Sequence, residues 1–325
     1  MNISGKTIIV TGANGSLGKQ LVLHFSKKNK VVAIARQAAA AKEIAAHCTY
    51  IQADINHLKK DLEADILIHS AGLVDDKEKW ENFFYTNVLG TEKVAQFSKN
   101  VQQFIFISSS AVYMPSPNLI GENDAARNGT RGLSNYGKSK YLAEERLKEI
   151  SEHKSCFILR PRALYGVGDT KIIPRMLRLY KNNTLTIPGT MELRVSLTHF
   201  DNLMYGIECC LNSQLQGIHT YNIADDETYI LIDFVREVLR SGMEQTPKEK
   251  HIPKWLLQII GKLHLAGMSP LLVRGLTQDM ELDLSKIKDE LGYQPKQNLK
   301  LSLPQIAAWI REKGGVNSSF FNQAH

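Results

Sequence analysis

Cysteine is scarce in this chain, and the few cysteines are not spaced as metal ligands. The 325 residues contain four cysteines, at positions 48, 156, 209 and 210, and no Cys-x-x-Cys pair. We therefore expect neither a disulfide framework nor a metal site. We interpret the thiols as buried.

Long apolar runs are also missing. No segment reaches the roughly 18 uninterrupted apolar residues that span a bilayer, and the N-terminus lacks the pattern of a signal peptide. The composition, 43% hydrophobic and 22% charged, is typical of a globular protein. These absences predict a cytoplasmic protein that does not associate with membranes.

Acidic residues are absent from residues 1–42, and the net charge of the whole chain is +7. Because the Lys and Arg residues are scattered rather than clustered with aromatic residues, we do not expect a nucleic-acid partner. Binding of a small anionic ligand explains the positive excess more simply.

The most informative stretch is residues 11–18, with the sequence TGANGSLG. It follows an apolar run of strand length and precedes a helical pattern at Leu21, Val22 and Phe25. In such a unit the glycines allow a tight turn and close approach to a pyrophosphate, which the N–H groups of the helix bind. The predicted cofactor contacts in this loop are Gly12, Asn14, Gly15, Ser16, Leu17 and Gly18.

The residue after the second strand predicts which dinucleotide binds. An NAD site usually places Asp or Glu there to bind the adenosine ribose, whereas this chain has Arg36. A guanidinium binds a 2′-phosphate through paired, charge-assisted hydrogen bonds, and residues 1–42 contain no carboxylate to repel it. We therefore expect NADP(H) to be preferred, with NAD(H) as a possible alternative.

Continuous apolar strands alternate with helical patterns, which indicates a parallel sheet covered on both faces. Ala71 and Gly72 follow the fourth strand and let the chain pass close to a flat cofactor, and His69 is interpreted as a packed residue. We predict a long helix over residues 80–100 with a close contact at Gly90, a loop over 111–134, and a disordered tail from 314 to 325.

Residue types used in carbonyl chemistry follow the fifth strand. Ser108, Ser109 and Ser110 come directly after the apolar run 104–107, so they are expected at the sheet edge where ligands bind. Tyr136 and Lys140 are four residues apart in a helical pattern and share a face. An ammonium lowers the pKa of a nearby phenol, which can then exchange a proton with the substrate, while a serine hydroxyl polarises the carbonyl oxygen.

In this order the motifs resemble those of the extended short-chain dehydrogenase/reductases, of the NAD-dependent epimerase/dehydratase type. Residues 11–18 resemble the family's TGxxGxxG loop, residues 87–91 its NVxGT helix, and residues 159–169 its LRPxxxYGxGD segment. Residues 109–113 resemble its S-x-x-V-Y segment, which favours Ser109 as the catalytic hydroxyl. The resemblance implies a Rossmann-type, doubly wound α/β fold with a smaller, mainly helical substrate domain, and catalysis by Ser109, Tyr136 and Lys140.

The remaining predicted site residues lie along these motifs and in the C-terminal region. The further cofactor contacts are Asp54, Ile55, Ala71, Gly72, Asn87 and Pro161, together with Arg36, Tyr136 and Lys140. The predicted substrate contacts are Ser110, Arg162, Arg194 and Arg274. We expect a dinucleotide-binding domain at residues 1–165 with roughly 196–224, and a substrate domain at 166–195 and 225–325.

The identity of the substrate is open from the sequence. Arg194 matches an arginine that binds substrate phosphate in nucleotide-sugar members of the family, so reduction of a nucleotide-linked 4-keto sugar is the leading expectation. Ala163 stands where the epimerases often have asparagine, and apolar runs between 255 and 268 permit an apolar substrate. The alternatives are a nucleotide-sugar epimerase, a hydroxysteroid or aldehyde reductase, and a non-catalytic NADP(H)-sensing protein. The family resemblance also implies a homodimer.

Overall fold

The computed structural model describes residues 3–74, 78–243, 246–262 and 277–322. The strands, in chain order, are β1 Thr7–Thr11, β2 Lys30–Ala35, β3 Thr49–Gln52, β4 Ile66–His69, β5 Gln103–Ile107, β6 Ser116–Ile120, β7 Ser155–Pro161, β8 Leu164–Tyr165, β9 Tyr180–Lys181, β10 Thr184–Pro188, β11 Arg194–Val195, β12 Thr198–His199, β13 Gly217–Ile223, β14 Tyr229–Ile230, β15 Lys248–Ile252 and β16 Met280–Leu282.

The helices complete the layers. They are α1 Ser16–Phe25, α2 Trp80–Phe83, α3 Gly90–Gln96, α4 Asn135–Ile150, α5 Ile172–Leu177, α6 Phe200–Asn212, α7 Leu231–Ser241, α8 Lys254–Lys262, α9 Ser285–Leu291, α10 Leu299–Glu312 and α11 Ser319–Asn322. A π-helical segment, Phe84–Leu89, joins α2 to α3. Within the described ranges, no helix has the length and apolar composition needed to cross a membrane.

Seven parallel strands form the central sheet in the order β13-β7-β5-β4-β1-β2-β3. The chain builds outward from β1 through β2 and β3, then returns to the other side of β1 and continues with β4, β5, β7 and β13. This reversal confirms the predicted doubly wound fold. It also places a ligand crevice outside the carboxyl ends of β1 and β4.

Both faces of the sheet are covered, as the continuous apolar strands predict. Strands β4 and β7 are buried along their whole length. One face packs against α1 and α6 through residues that include Val22 and Leu203. The other face packs against α3 and α4 through residues that include Val94 and Leu147.

The C-terminal region combines helices with small sheets. A four-stranded sheet has the order β14-β11-β16-β6, and a three-stranded sheet has the order β15-β10-β9. Helices α5, α7, α10 and α11 enclose a separate apolar core with Phe234, Ile306 and Phe321 at its centre. We keep the predicted division into two domains as a proposal, with one change: β6 pairs with β16 and so joins the sheet of the second unit.

Three local predictions differ from the structure. The helix predicted over 80–100 is interrupted by its π-helical segment, and the predicted loop 111–134 contains β6. The tail is ordered up to residue 322 because Phe321 is fully buried, with its ring 5.2 Å from that of Trp309. The close contact at Gly90 is confirmed, since a Cβ there would lie 2.7 Å from Ile55 Cδ1.

Candidate active site

The glycine loop folds as tightly as its sequence predicts. Gly12 has a φ of +70°, and a Cβ at this position would lie 2.7 Å from the Ala71 Cα atom. A Cβ at Gly18 would lie 2.1 Å from the Gly12 carbonyl oxygen, so only glycine permits this approach of helix to loop. Helix α1 has no side-chain cap and no acid in its first turn. Its N–H groups are therefore open to an anion.

Two side chains in the loop have structural partners of their own. Asn14 Nδ2 donates to the Ala39 carbonyl oxygen at 2.9 Å, and its Oδ1 accepts from the Ala41 N–H at 2.9 Å. Ser16 Oγ donates to the Gly168 carbonyl oxygen at 2.9 Å. Sequence reasoning assigned both residues to the cofactor. The structure uses their side chains to hold the segments on either side of the loop, which leaves their backbone groups for a ligand.

Arg36 lies directly after β2, on the surface. Among the described residues its guanidinium has no hydrogen-bond or ion-pair partner, and only its carbonyl oxygen is used, by Gln52 Nε2 at 3.3 Å. Asp54 follows the neighbouring strand β3, accepts from the Asn56 N–H at 3.0 Å, and has a side chain that is 34% exposed. Asp54 Oδ2 also lies 3.7 Å from His57 Nδ1. A guanidinium without a partner among the described residues and a partly engaged carboxylate thus stand at the ends of adjacent strands.

The end of β4 lies against the helix that carries Lys140. A Cβ at Gly72 would lie 3.3 Å from Asn87 Oδ1 and 3.4 Å from Lys140 Nζ. Asn87 holds this segment, because its Oδ1 accepts from the Leu73 N–H at 2.7 Å and its Nδ2 donates to Ser139 Oγ at 2.8 Å. The segment therefore passes close to Lys140, and its predicted contact with a flat cofactor stays a prediction.

His69 is packed in the interior, as interpreted from the sequence. Its two ring nitrogens hydrogen-bond the hydroxyls of Thr11 and Thr91, at 2.7 and 3.0 Å. Burial lowers the pKa of His69 to about 3, with a smaller contribution from the Lys140 charge. The imidazole is therefore neutral at physiological pH. Separately, the described residues contain no cluster of His, Cys, Asp or Glu that could bind a metal ion.

The three predicted catalytic residues come together at the carboxyl edge of the sheet. Ser109 follows β5 and its Oγ accepts from the Ala111 N–H at 3.1 Å. Helix α4 begins beside this turn, capped by Ser134, and a Cβ at Gly137 would lie 2.0 Å from the Ala111 carbonyl oxygen. This contact seats the first turn of α4, which carries Tyr136, directly against the turn that carries Ser109.

Lys140 lies one helical turn further along α4. Its Nζ donates to the Ile107 carbonyl oxygen at 2.8 Å and lies 4.6 Å from the centre of the Phe106 ring. Burial lowers the pKa of Lys140 to about 8, and the Glu144 charge opposes that shift. The ammonium therefore titrates near physiological pH, which is unusual for lysine.

A buried ion pair lies beneath the catalytic residues. Arg160 on β7 donates from Nε to Glu144 on α4 at 3.0 Å and from Nη1 to the Tyr113 hydroxyl at 2.8 Å, and both charged side chains are almost fully buried. Ser108 also donates to Glu144. Burial acts to lower the pKa of Arg160, but the charge and hydrogen bonds of Glu144, together with the interactions of Tyr113, outweigh it, so the net shift is upward. Sequence reasoning missed this pair, although an arginine within an apolar strand signals a buried partner.

Replacing Glu144 with Gln is expected to lower the free energy of unfolding by about 3 kcal/mol, because Arg160 would be left as an uncompensated buried charge. Denaturant unfolding followed by circular dichroism measures this change. Glu145→Gln is the matched control, since Glu145 pairs with Lys148 on the surface and its side chain is 41% exposed. Equal stability of the two variants would show that the buried pair does not hold α4 to β7.

The predicted substrate contacts have different environments. Ser110 is only 3% exposed, which leaves little of it accessible to a ligand. Arg162 has a buried Nε without a hydrogen-bond partner. Arg194 is 60% exposed and forms two hydrogen bonds to Glu281, at 2.6 and 2.9 Å, so its guanidinium is already satisfied. Arg274 lies outside the described residues.

Comparisons with known proteins agree on the family. The model of the NAD dependent epimerase/dehydratase family matches residues 8–224. UDP-glucose 4-epimerase of Vibrio cholerae is 28% identical over 318 residues, which cover 93% of this chain and 94% of that protein. The 2-alkyl-3-oxoalkanoate reductase of Shewanella oneidensis is 24% identical, covering 92% and 85% of the two chains. Among solved structures, MoeE5 with UDP-glucuronic acid and NAD has a TM-score of 0.75 at 21% identity, covering 94% of this chain and 99% of that one.

Proposed function

This chain belongs to the NAD dependent epimerase/dehydratase family, and from that premise we propose that it reduces a substrate ketone with NADPH. Membership makes it an NAD(P)-dependent oxidoreductase or epimerase of the extended short-chain dehydrogenase/reductase type. The observation that carries the proposal is the convergence of Ser109, Tyr136 and Lys140 at one edge of the sheet, beside the glycine loop.

The residues on this edge fit a dinucleotide. The uncapped N-terminus of α1 suits a pyrophosphate. The space between Gly72 and Lys140 stays open only because residue 72 lacks a side chain, since a Cβ there would lie 3.4 Å from Lys140 Nζ. A bound nicotinamide supplies the hydride, while the protein supplies orientation and charge. The Lys140 ammonium, which donates to the Ile107 carbonyl oxygen, would also hold the ribose hydroxyls of such a cofactor.

Proton transfer falls to Tyr136. As charge develops on the substrate oxygen, Ser109 donates a hydrogen bond to it and Tyr136 gives it the phenolic proton. The nearby Lys140 ammonium stabilises the resulting tyrosinate. In the oxidative direction the same groups act in reverse, with Tyr136 as the base.

NADP(H) preference rests on Arg36. Its guanidinium stands without a partner among the described residues, at the strand end where a 2′-phosphate would lie. The solved relative MoeE5 was crystallised with NAD, so NAD(H) remains the alternative that the titrations below distinguish.

Two substrate classes are supported by different observations. A nucleotide-linked sugar is favoured by the similarity to UDP-glucose 4-epimerase and to MoeE5 with its UDP-glucuronic acid. Against a sugar nucleotide, Arg194 is engaged by Glu281 rather than free for a phosphate. A 3-oxo acid is favoured by the similarity to 2-alkyl-3-oxoalkanoate reductase. Epimerisation is the second candidate function, because this catalytic set runs in both directions and the epimerase relative matches nearly the whole chain.

A homodimer is retained as a proposal. It is supported by Phe84 and Tyr85, which are 37% and 45% exposed on the π-helical segment beside α4. In the proposed dimer these two adjacent aromatic side chains would be buried at the contact between the two copies, where aromatic residues are enriched.

The proposed function is tested by titrating the purified protein with NADPH and with NADH, and by assaying NADPH oxidation with UDP-linked 4-keto sugars and with 3-oxo acids. The proposal expects tighter binding of NADPH and steady consumption of it with one substrate class. Binding of neither cofactor would reject the assignment as an oxidoreductase.

The affinity for NADPH is expected to fall about tenfold as the pH rises through about 8, because the Lys140 ammonium then loses its proton and one charged hydrogen bond to the ribose. Fluorescence titrations between about pH 7 and 10 measure this. Lys140→Met should flatten the profile, whereas Lys148→Met, on the exposed part of the same helix, should retain it. An unchanged slope in Lys140→Met would assign the titration to another group.

A further inference from the structure

Arg162 has an unusual environment for an arginine. Its Nε is buried and has no hydrogen-bond partner, and no ion pair to its guanidinium exists within the part of the chain that the structure describes. Burial alone lowers the pKa of Arg162 to about 10, with no contribution from a neighbouring charge. The side chain as a whole is partly accessible, so the guanidinium combines a buried, unpaired Nε with an end that a ligand can reach. Buried guanidinium nitrogens are normally paired, as those of Arg160 on β7 are with Glu144.

Arg162 lies at the carboxyl edge of the sheet, directly after the strand that neighbours the one leading to Ser109. It follows the carboxyl end of β7, which pairs with β5 through Leu159 and Ile107. Ser109 is two residues beyond Ile107 and Arg162 is three beyond Leu159. The two residues are thus one strand spacing apart, about 5 Å, and offset by about one residue along the sheet.

The backbone around Arg162 is fixed rather than free to turn away. The backbone N–H of Arg162 donates to Thr198 Oγ1 at 3.0 Å, and the Thr198 hydroxyl donates to the Ile223 carbonyl oxygen at 2.8 Å. The next residue, Ala163, has a φ of +42°. Residues other than Gly and Asn adopt this left-handed backbone conformation at a cost in free energy. Strand β7 is therefore followed by a strained turn. The turn begins directly after Arg162, and hydrogen bonds fix its backbone.

We propose that Arg162 binds a carboxylate of the substrate, attached within a few bonds of the carbon that Ser109 and Tyr136 act on. The proposal rests on the proposed function and narrows its substrate to 3-oxo or 3-hydroxy acids, whether on a sugar, as in a uronic acid, or on an aliphatic chain. One guanidinium balances the single charge of a carboxylate through two parallel hydrogen bonds. A phosphate monoester, with a charge near −2, would leave about one charge unbalanced in the same place.

The test compares pairs of ligands that differ only in the carboxylate. UDP-glucuronic acid is paired with UDP-glucose, and both are titrated against the protein saturated with NADPH. For the aliphatic pair, 3-oxodecanoate and its methyl ester are titrated against the protein saturated with NADP⁺. In these combinations ligand and cofactor are both reduced or both oxidised, so no hydride is transferred. We expect the wild type to bind one acid about 10- to 100-fold more tightly than its neutral partner. The pair that shows the preference identifies whether the carboxylate belongs to a sugar or to an aliphatic chain.

Arg162→Gln should abolish that preference while leaving the affinities for the neutral ligand and for NADPH unchanged. The control is Arg311→Gln, which removes an exposed arginine without an ion pair among the described residues. A second readout needs no substrate. Because a partly buried cation without an ion-pair partner among the described residues is removed, the Tm of the ligand-free Arg162→Gln protein should rise by about 2–4 °C, with no rise in the control.

Each contrary outcome is distinct. A lower Tm for Arg162→Gln, or an equal loss of affinity for acid and neutral ligands, would show that Arg162 supports the fold rather than a carboxylate. Absence of any acid preference in the wild type would also overturn the proposal. Failure of the wild type to bind NADPH or NADH would instead reject the proposed function itself.

Discussion

Replacing Tyr136 with Phe lowers kcat by about 10³-fold in the present account, while the affinity for NADPH changes less than twofold. The phenolic proton is the one transferred to the substrate oxygen, and a positioned general acid contributes about 10² to 10⁴ in rate. A thousandfold loss corresponds to about 4 kcal/mol of transition-state stabilisation. Single-turnover oxidation of bound NADPH measures the step directly, free of substrate-binding effects.

The control for this variant is Tyr141→Phe, which removes a phenolic hydroxyl from the same helix. Tyr141 lies five residues after Tyr136 and packs against the apolar core. A loss of less than tenfold in Tyr136→Phe would assign the proton to another group. A loss of equal size in Tyr141→Phe would indicate that α4 is disturbed in both proteins.

Replacing Arg36 with Asp is expected to reduce the affinity for NADPH by about 100-fold and to raise the affinity for NADH severalfold. The substitution removes a charge-assisted pair of hydrogen bonds to the 2′-phosphate and sets a carboxylate against it. For NADH the same carboxylate can accept hydrogen bonds from the ribose hydroxyls. Fluorescence titrations with both cofactors give the two affinities.

Lys28→Asp makes the same charge change at an exposed position after α1 and is the matched control. It should alter both affinities by less than twofold, since charges separated by more than about 10 Å are screened in salt. A similar loss of NADPH binding in the two variants would indicate a general electrostatic effect. Unchanged preference in Arg36→Asp would show that the 2′-position is recognised elsewhere.

The parts of this site that could be predicted from sequence are those set by local geometry. Gly12, at a positive φ, and Gly18, packed against a carbonyl oxygen, must both be glycine, so the loop at residues 11–18 can be recognised from its sequence. Tyr136 and Lys140 are four residues apart, a separation that places two side chains on the same face of any α-helix. The carboxyl ends of parallel strands meet at one edge, so Ser109 could be placed beside them without knowledge of the contacts.

The features that could not be predicted depend on partners far apart in the chain. Glu281 is 87 residues from Arg194 in the chain. The sequence around Arg194 therefore does not predict the ion pair between them. Strand β6 forms because β16 pairs with it, although the two are separated by more than 150 residues. Its own sequence, with Pro and Asn inside it, favours a loop.

Some side chains have roles that their motifs do not reveal. Asn14 and Ser16 lie in the expected loop, yet their side chains bind neighbouring segments of the protein. Asp225 follows the last strand of the central sheet and accepts hydrogen bonds from the hydroxyls of Tyr165 and Tyr229. That carboxylate joins β8 to β14, and a charged residue after an apolar strand was its only sequence signal.

The central claim, net transfer of hydride from NADPH to a substrate ketone, is tested most directly with NADPH deuterated at C4 of the nicotinamide. After reaction with the substrate class that consumes cofactor, the product is examined by mass spectrometry. We expect one deuterium at the carbinol carbon for each NADPH oxidised. Conversion of substrate to a stereoisomer without NADPH oxidation would contradict it and identify the enzyme as an epimerase.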